Sequence, residues 1–284
     1  MDFSKFERSN TFFGGSEKKI GIIIGNDEYM LKFQKNTPFG KRNNHISEYV
    51  GSHIFKMLGF DVQETCLGTY KGEQVVACKN FVKDGYFFVP FNDVGESTLD
   101  EDREKYQYSY SDIMKMLYDN SKLTNVEETV NAFWEVYITD ALLGNFDRHG
   151  ANWGFLKKDN KYTLAPIFDN GSSLFPAMTD ENEMISIINS EEETQKRVFK
   201  FPTSQIKLND KKSSYFDVIN SLEFKECNKA LICVYGRIDL DKINSFIDND
   251  VIFITDTQKL FYKHMIKNRY EKILKESYKK LTER

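Results

Sequence analysis

Apolar positions recur along this chain with two different periods. Residues 20–24 and 29–33 are short β-branched or aromatic runs on either side of Gly25, Asn26 and Asp27, a pattern that predicts a hairpin. Residues 37–43 carry Pro38, Gly40 and Asn43 and read as a loop. From 45 to 58 the period lengthens. Ile46, Tyr49, Val50, His53, Ile54, Met57 and Leu58 recur at helical spacing, and Gly59 follows as a stop. Two more strands are expected at 61–70 and 74–82, around Lys71 and Gly72. Residues 83–108 show the weakest pattern and read as a connection with a loop, with Gly85, Pro90, Gly95 and the acidic run 100–102.

Helices are expected at 111–122 and 128–143. The second is apolar on nearly every face, which places it in a core. Gly144 stops it, and a polar loop, 145–152, follows. Strands at 153–156 and 162–168 flank the turn 157–160 and lead to Asp169, Asn170 and Gly171. The remainder reads as helical, with segments near 213–222, 225–235 and 239–248 and a long helix over about 257–281. The expected fold class is α+β with two lobes: a small β-rich lobe over 1–82 and a larger, mainly helical lobe over 83–284.

Composition narrows the partners more than the function. The 284 residues carry 39 Lys+Arg against 43 Asp+Glu, so no basic domain suited to direct nucleic-acid binding is expected. No apolar run reaches the roughly 18 residues of a transmembrane segment, and residues 1–10 have no apolar signal region. Cys66, Cys78, Cys227 and Cys233 form no CxxC pair. They are expected to be free thiols of a protein made in a reducing cytoplasm, and no structural zinc is expected.

Chemistry concentrates in residues 144–174. Asp147, His149 and Asn152 share one polar loop, and the hairpin after it returns Asp169 to its side. One Asp to orient a hydroxyl, with an Asn and a second Asp as oxygen ligands for Mg²⁺, is the equipment of phosphoryl transfer from a nucleotide. Lys32, in the middle of a strand, could extend towards phosphate oxygens, and Glu48 on the next helix could pair with it. Gly14, Gly15 and Ser16 could let backbone N–H groups approach phosphates.

These blocks resemble the HipA-like serine/threonine kinases, above all their small, cell-translocating members. The matching stretches are FFGGSEKK, YMLKF, SEYVGSHI, QETCLGTYKGEQVVACKNF, LLGNFDRHGANWGFL and LAPIFDNGSSLFP, covering roughly 13–176. The DRHxxN loop also resembles that of phosphatidylinositol kinases, which share the fold. The resemblance implies a serine/threonine protein kinase using ATP and Mg²⁺. Asp147 would be the catalytic Asp, with His149 in the same loop. Asn152 and Asp169 would bind the metal. Lys32 would hold the α/β phosphates and Glu48 would position it. Gly14, Gly15 and Ser16 would form the phosphate loop, and the backbone from Lys79 to Phe81 would meet the adenine.

The resemblance further implies autophosphorylation, a toxin or effector role, an antitoxin or other regulatory protein as partner, and delivery into a host cell. A lipid or small-molecule kinase of the same fold, or a degenerate kinase serving as a scaffold, is the alternative. The acid-rich stretch 177–196, if it borders the substrate groove, would favour a basic target.

Overall fold

The computed structural model describes every residue except 12, 15–17, 39, 84, 95–107, 119–124, 160, 209–210 and 284. Gly15, Ser16 and the acidic run 100–102 lie outside the described residues.

A five-stranded antiparallel sheet dominates the first third. Its strands are β1 (Glu7–Arg8), β2 (Lys19–Ile24), β3 (Asp27–Phe33), β6 (Thr65–Tyr70) and β7 (Glu73–Lys79), in the order β1-β2-β3-β7-β6. A two-residue turn with Lys71 and Gly72 both at positive φ joins β6 to β7, as a tight hairpin requires. Between β3 and β6 lie a small hairpin, β4 (Asn36–Thr37) and β5 (Gly40–Lys41), and helix α1 (Asn44–Met57).

Alternation splits the sheet's side chains between two cores. Ile22, Leu31, Phe33, Val75 and Ala77 pack with Phe3 and Tyr70 on one face. Met30, Leu67, Val76 and Cys78 pack on the other, against Ile46, Val50 and Ile54 of α1. Lys32 falls between Leu31 and Phe33 and therefore points to the α1 face, where Val76 is its cross-strand partner.

The second part is mainly helical, with two small sheets. Strand β8 (Phe87–Pro90) and the short helix α2 (Phe91–Val94) occupy part of the stretch expected to be irregular. The apolar run 87–89 has β-sheet neighbours because it pairs with β10 (Gly154–Lys158), which pairs in turn with β11 (Lys161–Leu164). Strand β9 (Tyr108–Ser109) leads into α3 (Tyr110–Tyr118), and α4 (Val126–Leu143) follows. As its composition demands, α4 is buried from Trp134 to Leu143 on most faces, packed by α8 and α10. Its start is capped by Asn125, which accepts from Glu128 N–H, and Gly144 ends it at φ 64°.

Helices α5 (Glu181–Asn189) and α6 (Glu191–Gln195) run into a π turn at Lys196–Lys200. A hairpin follows where helix was expected: β12 (Thr203–Leu208) and β13 (Lys211–Ser214), with β9 parallel to β12. Ser204 and Ile206 are buried and Gln205 and Lys207 are not, a period of two that a Lys-rich composition hides. Helices α7 (Tyr215–Ser221), α8 (Lys225–Tyr235) and α9 (Leu240–Asn249) match the expected positions. The long last helix is α10 (Asp256–Arg269), a π turn at Tyr270–Lys275, and α11 (Glu276–Thr282). Among the described residues no helix is long and apolar enough to cross a membrane. All four cysteines are free.

Candidate active site

The two parts meet at Lys32. Its ammonium lies 2.8 Å from Glu48 Oε2 and 2.9 Å from Asp169 Oδ1. Lys32 is 7% exposed and Glu48 1%, so a buried cation is held between two carboxylates. Burial works against the Lys32 charge, but Asp169 and Glu48 outweigh it and raise its pKa. The second oxygen of Glu48 accepts the backbone N–H of Asn170 at 3.0 Å. One carboxylate thus fixes the lysine and the turn that carries Asp169.

Asp169 itself sits at φ 57°, an uncommon conformation for a residue with a Cβ. Burial opposes its ionisation. Lys32, by charge and by hydrogen bond, with Arg148 and Lys19, outweighs this and holds the carboxyl below the usual range.

Arg148 ties this turn to the loop 145–152. Its guanidinium donates to both oxygens of Asp140, at 2.9 and 3.1 Å. It also donates to Asn152 O (3.1 Å), Phe168 O (2.6 Å) and Asn170 Oδ1 (2.5 Å). The Asn170 amide donates onward to Ser52 Oγ on α1, at 3.0 Å. Gly51 makes the close approach of α1 feasible, since a Cβ there would lie 2.7 Å from Asn170 Cβ. Asp140 and Asn170 are 1% and 0% exposed. Sequence reasoning missed Asp140, Asn170, Ser52 and the bracing role of Arg148. The available signal was Asp140: a charge on a helix apolar all round has to be paired.

The loop 145–152 is built by its own polar groups. Asn145 Nδ2 donates to Asp140, and Asn145 Oδ1 accepts Asp147 N–H at 3.1 Å. Asn152 Nδ2 donates to Asp147 O at 2.8 Å, so its Oδ1, which has no hydrogen bond among the described residues, is left for another partner. Tyr215 OH and Gln205 Nε2 hold the loop from below by donating to Asn145 O (2.6 Å) and Phe146 O (2.8 Å).

The Asp147 side chain is 47% exposed, and its carboxylate accepts no hydrogen bond among the described residues. Burial raises its pKa. His149 pulls it down, Asp169 pushes it up, Arg148 and Lys212 pull it down, and the net displacement is upward. His149 Nδ1 accepts Ala151 N–H at 3.2 Å, which leaves Nε2 as the protonated nitrogen, 3.9 Å from Asp147 Oδ1. That separation is too long for a hydrogen bond.

Other expected site residues are placed less centrally. The backbone groups of Lys79 are taken up within the protein: its N–H donates to Glu64 O and its carbonyl accepts from Gln63 Nε2. Asn80 N–H donates to Glu28 O. The Asn80 carbonyl and the backbone of Phe81 have no such partner among the described residues, and the Phe81 ring packs with Phe88 and Phe168. Gly14 O accepts from Lys19 Nζ at 2.5 Å.

A separate, largely apolar cavity of about 590 Å³ lies behind the catalytic loop, with Phe91, Phe133, Trp153 and His149 in its walls. None of Lys32, Glu48, Asn152 or Asp169 lines it, so it is not where the carboxylates face. Among the described residues no group of three or more His, Cys, Asp or Glu could hold a metal. Asp169 and Asn152 instead supply two oxygen donors, which suits a magnesium ion that shares its shell with phosphates and water.

Known proteins match this chain in sequence and fold. The HipA-like C-terminal domain family matches residues 11–227. The serine/threonine-protein kinase CtkA of Helicobacter pylori strain J99 is 37% identical over 279 residues, covering 96% of this chain and 85% of that protein. The crystal structure of a Helicobacter pylori proinflammatory kinase CtkA superposes with a TM-score of 0.91 at 36% identity, over 100% of this chain and 99% of that one. HipA from a Shewanella oneidensis toxin–antitoxin complex with HipB and operator DNA shares the fold, with a TM-score of 0.61 at 15% identity over 95% of this chain and 67% of that one. The chain therefore belongs to the HipA-like C-terminal domain family, and it is a kinase with that family's two-lobed α+β fold.

Proposed function

We propose that the chain transfers the γ-phosphoryl group of ATP, with Mg²⁺, to a serine or threonine hydroxyl of a protein. ATP would lie between the parts formed by residues 1–82 and 83–284. The observation that carries this reading is the Lys32 ammonium held between Glu48 and Asp169. Such a cation is fixed before the nucleotide arrives, so little reorganisation is needed to meet the α/β phosphates.

Asp147 orients the acceptor hydroxyl and takes its proton. Its raised pKa makes it a better base than an ordinary carboxylate, and its exposure leaves it reachable. His149, too far away to share that proton in the present geometry, would position the loop. Asp169 and the Oδ1 atom of Asn152 would hold Mg²⁺. When bound, the ion neutralises phosphate charge. Phe81, Phe88 and Phe168 form the apolar wall suited to adenine. Gly14, Gly15 and Ser16 would cover the phosphates. The CtkA match supports the protein acceptor. Autophosphorylation, synthesis in a bacterial cytoplasm, a toxin or effector role and an antitoxin-like partner remain part of the proposal through the same relatives.

The test is transfer of labelled γ-phosphate, offered in parallel to a generic protein and to phosphatidylinositol vesicles, with Mg²⁺ or with chelator. Phosphoserine or phosphothreonine that disappears with chelator is the expected result. Labelled lipid without labelled protein would overturn the acceptor class, and no transfer at all would overturn the activity.

A further inference from the structure

The side of the loop facing away from Lys32 has its own character. The β12–β13 hairpin leans on the loop through Gln205, which donates to Phe146 O at 2.8 Å. The strand is irregular between Thr203 and Lys207, yet burial still alternates there: Ser204 and Ile206 are buried, and Gln205 and Lys207 are not. Lys212 is the cross-strand partner of Lys207, so both lysines lie on the face turned to the loop. Like charges directly opposite one another destabilise a strand pair. No carboxylate relieves this one: among the described residues neither ammonium has an ion pair or hydrogen bond. The Lys212 charge reaches Asp147, whose pKa it lowers.

An exposed ring stands at the other end of β12, two residues before Thr203. Phe201 is 51% exposed, although the next residue, Pro202, is buried and the Phe201 N–H is tied to Lys196 O at 3.1 Å. Its ring centroid lies 6.1 Å from that of Phe146, the neighbour of Asp147, and 6.0 Å from that of Phe175. Four acids of α5 and α6 are engaged elsewhere. Glu183 and Glu193 pair with Arg197, Glu192 and Glu193 with Lys196, and Glu191 with Lys272.

We propose that Lys207, Lys212 and Phe201 form an acceptor subsite, which receives an acidic peptide segment bearing an apolar side chain next to its Ser or Thr. This rests on the kinase reading, with Asp147 as the group that meets the hydroxyl. The two cations supply charge complementarity, and the half-exposed ring supplies a fixed apolar contact. Exposed charge pairs of this kind are screened by salt, so the selectivity should fade as the Debye length falls from about 10 Å at 0.1 M to about 3 Å at 1 M.

The experiment uses the full chain and two labelled peptides, each with one Ser beside a Leu, flanked by Glu in one and by Lys in the other. Binding is read by fluorescence anisotropy, and phosphorylation of the same peptides is followed separately. Wild type should bind the Glu peptide roughly tenfold more tightly than the Lys peptide. The K207E/K212E variant, checked for folding by its melting temperature, should reverse that order. Phe201→Ala should weaken both peptides by a similar factor. Equal affinities in wild type, or an unchanged order in folded K207E/K212E, would overturn the subsite. So would a preference for phosphoinositide vesicles over the Glu peptide. Binding in the predicted order without any phosphate transfer would instead overturn the kinase reading and leave the surface standing.

Discussion

The two carboxylates of the cleft live in opposite surroundings. Asp169, its side chain 39% exposed, is tied into a chain of paired groups that runs from Lys32 and Glu48 through Asn170 and Arg148 to Asp140. Asp147 stands half in solvent with no hydrogen bond to its carboxylate among the described residues, and unpaired lysines and an exposed Phe201 lie nearby. On the proposed reading, folding has already fixed the nucleotide side, whereas the acceptor side waits for its partner. The titration of the two groups follows from this. Asp169, with its pKa lowered, contributes stability above the unfolded value of about 3.9, and that contribution is lost as pH falls through its lower folded value. Asp147, with its pKa raised, opposes folding when ionised, and the penalty disappears as pH falls below the unfolded value.

The comparison breaks most severely at Lys32. Lys32→Met leaves Glu48 buried without a counter-charge. It should cost about 3–5 kcal/mol in urea unfolding and lower phosphate transfer by at least about 100-fold. Next in size is Arg148→Lys, which keeps the charge but cannot reproduce the five-bond fork. A loss of about 2–3 kcal/mol is expected, with a marked fall in turnover. Gly51→Ala forces α1 away from Asn170. It should cost about 1–3 kcal/mol and raise the Kd for Mg-ATP, read by calorimetry, because Glu48 rides on the same helix. The smallest change concerns the open side. Lys212→Met removes a charge that lowers the Asp147 pKa, so the acid limb of the kcat/KM profile should move to higher pH.

What was legible in the chain, and what was not, follows the same division. The first hairpin, α1, α4 and the last helices were visible because one strong period governs each. The pairing of Lys32 with Glu48 was legible from a lysine in an apolar strand and an acid off the apolar stripe of the next helix. The β12–β13 hairpin was not, because its outward positions carry lysines that blur the alternation and its third strand, β9, comes from some 100 residues earlier in the chain. The interruption of the last helix by a π turn leaves no compositional mark at Tyr270–Lys275. The brace around Arg148 was hidden for another reason. Its partners Asp140, Phe168 and Asn170 converge only in three dimensions, and spacing along the chain says nothing of it. The hydrogen bonds that take up the Lys79 backbone groups come from Gln63 and Glu64, which spacing along the chain does not bring to its side.

The central claim is that Asp169 serves the nucleotide and Asp147 the hydroxyl. It is tested most directly by comparing Asp147→Asn and Asp169→Asn in one assay series: melting temperature with and without Mg-ATP, and transfer of labelled phosphate. Asp147→Asn, which removes a charge that opposes folding, should keep or gain intrinsic stability and keep the Mg-ATP shift, which at 100 times Kd amounts to about 2.7 kcal/mol, while transfer is abolished. Asp169→Asn should lose intrinsic stability, the shift and transfer together. Wild-type transfer by Asp147→Asn, or an undiminished Mg-ATP shift in Asp169→Asn, would contradict the division of roles.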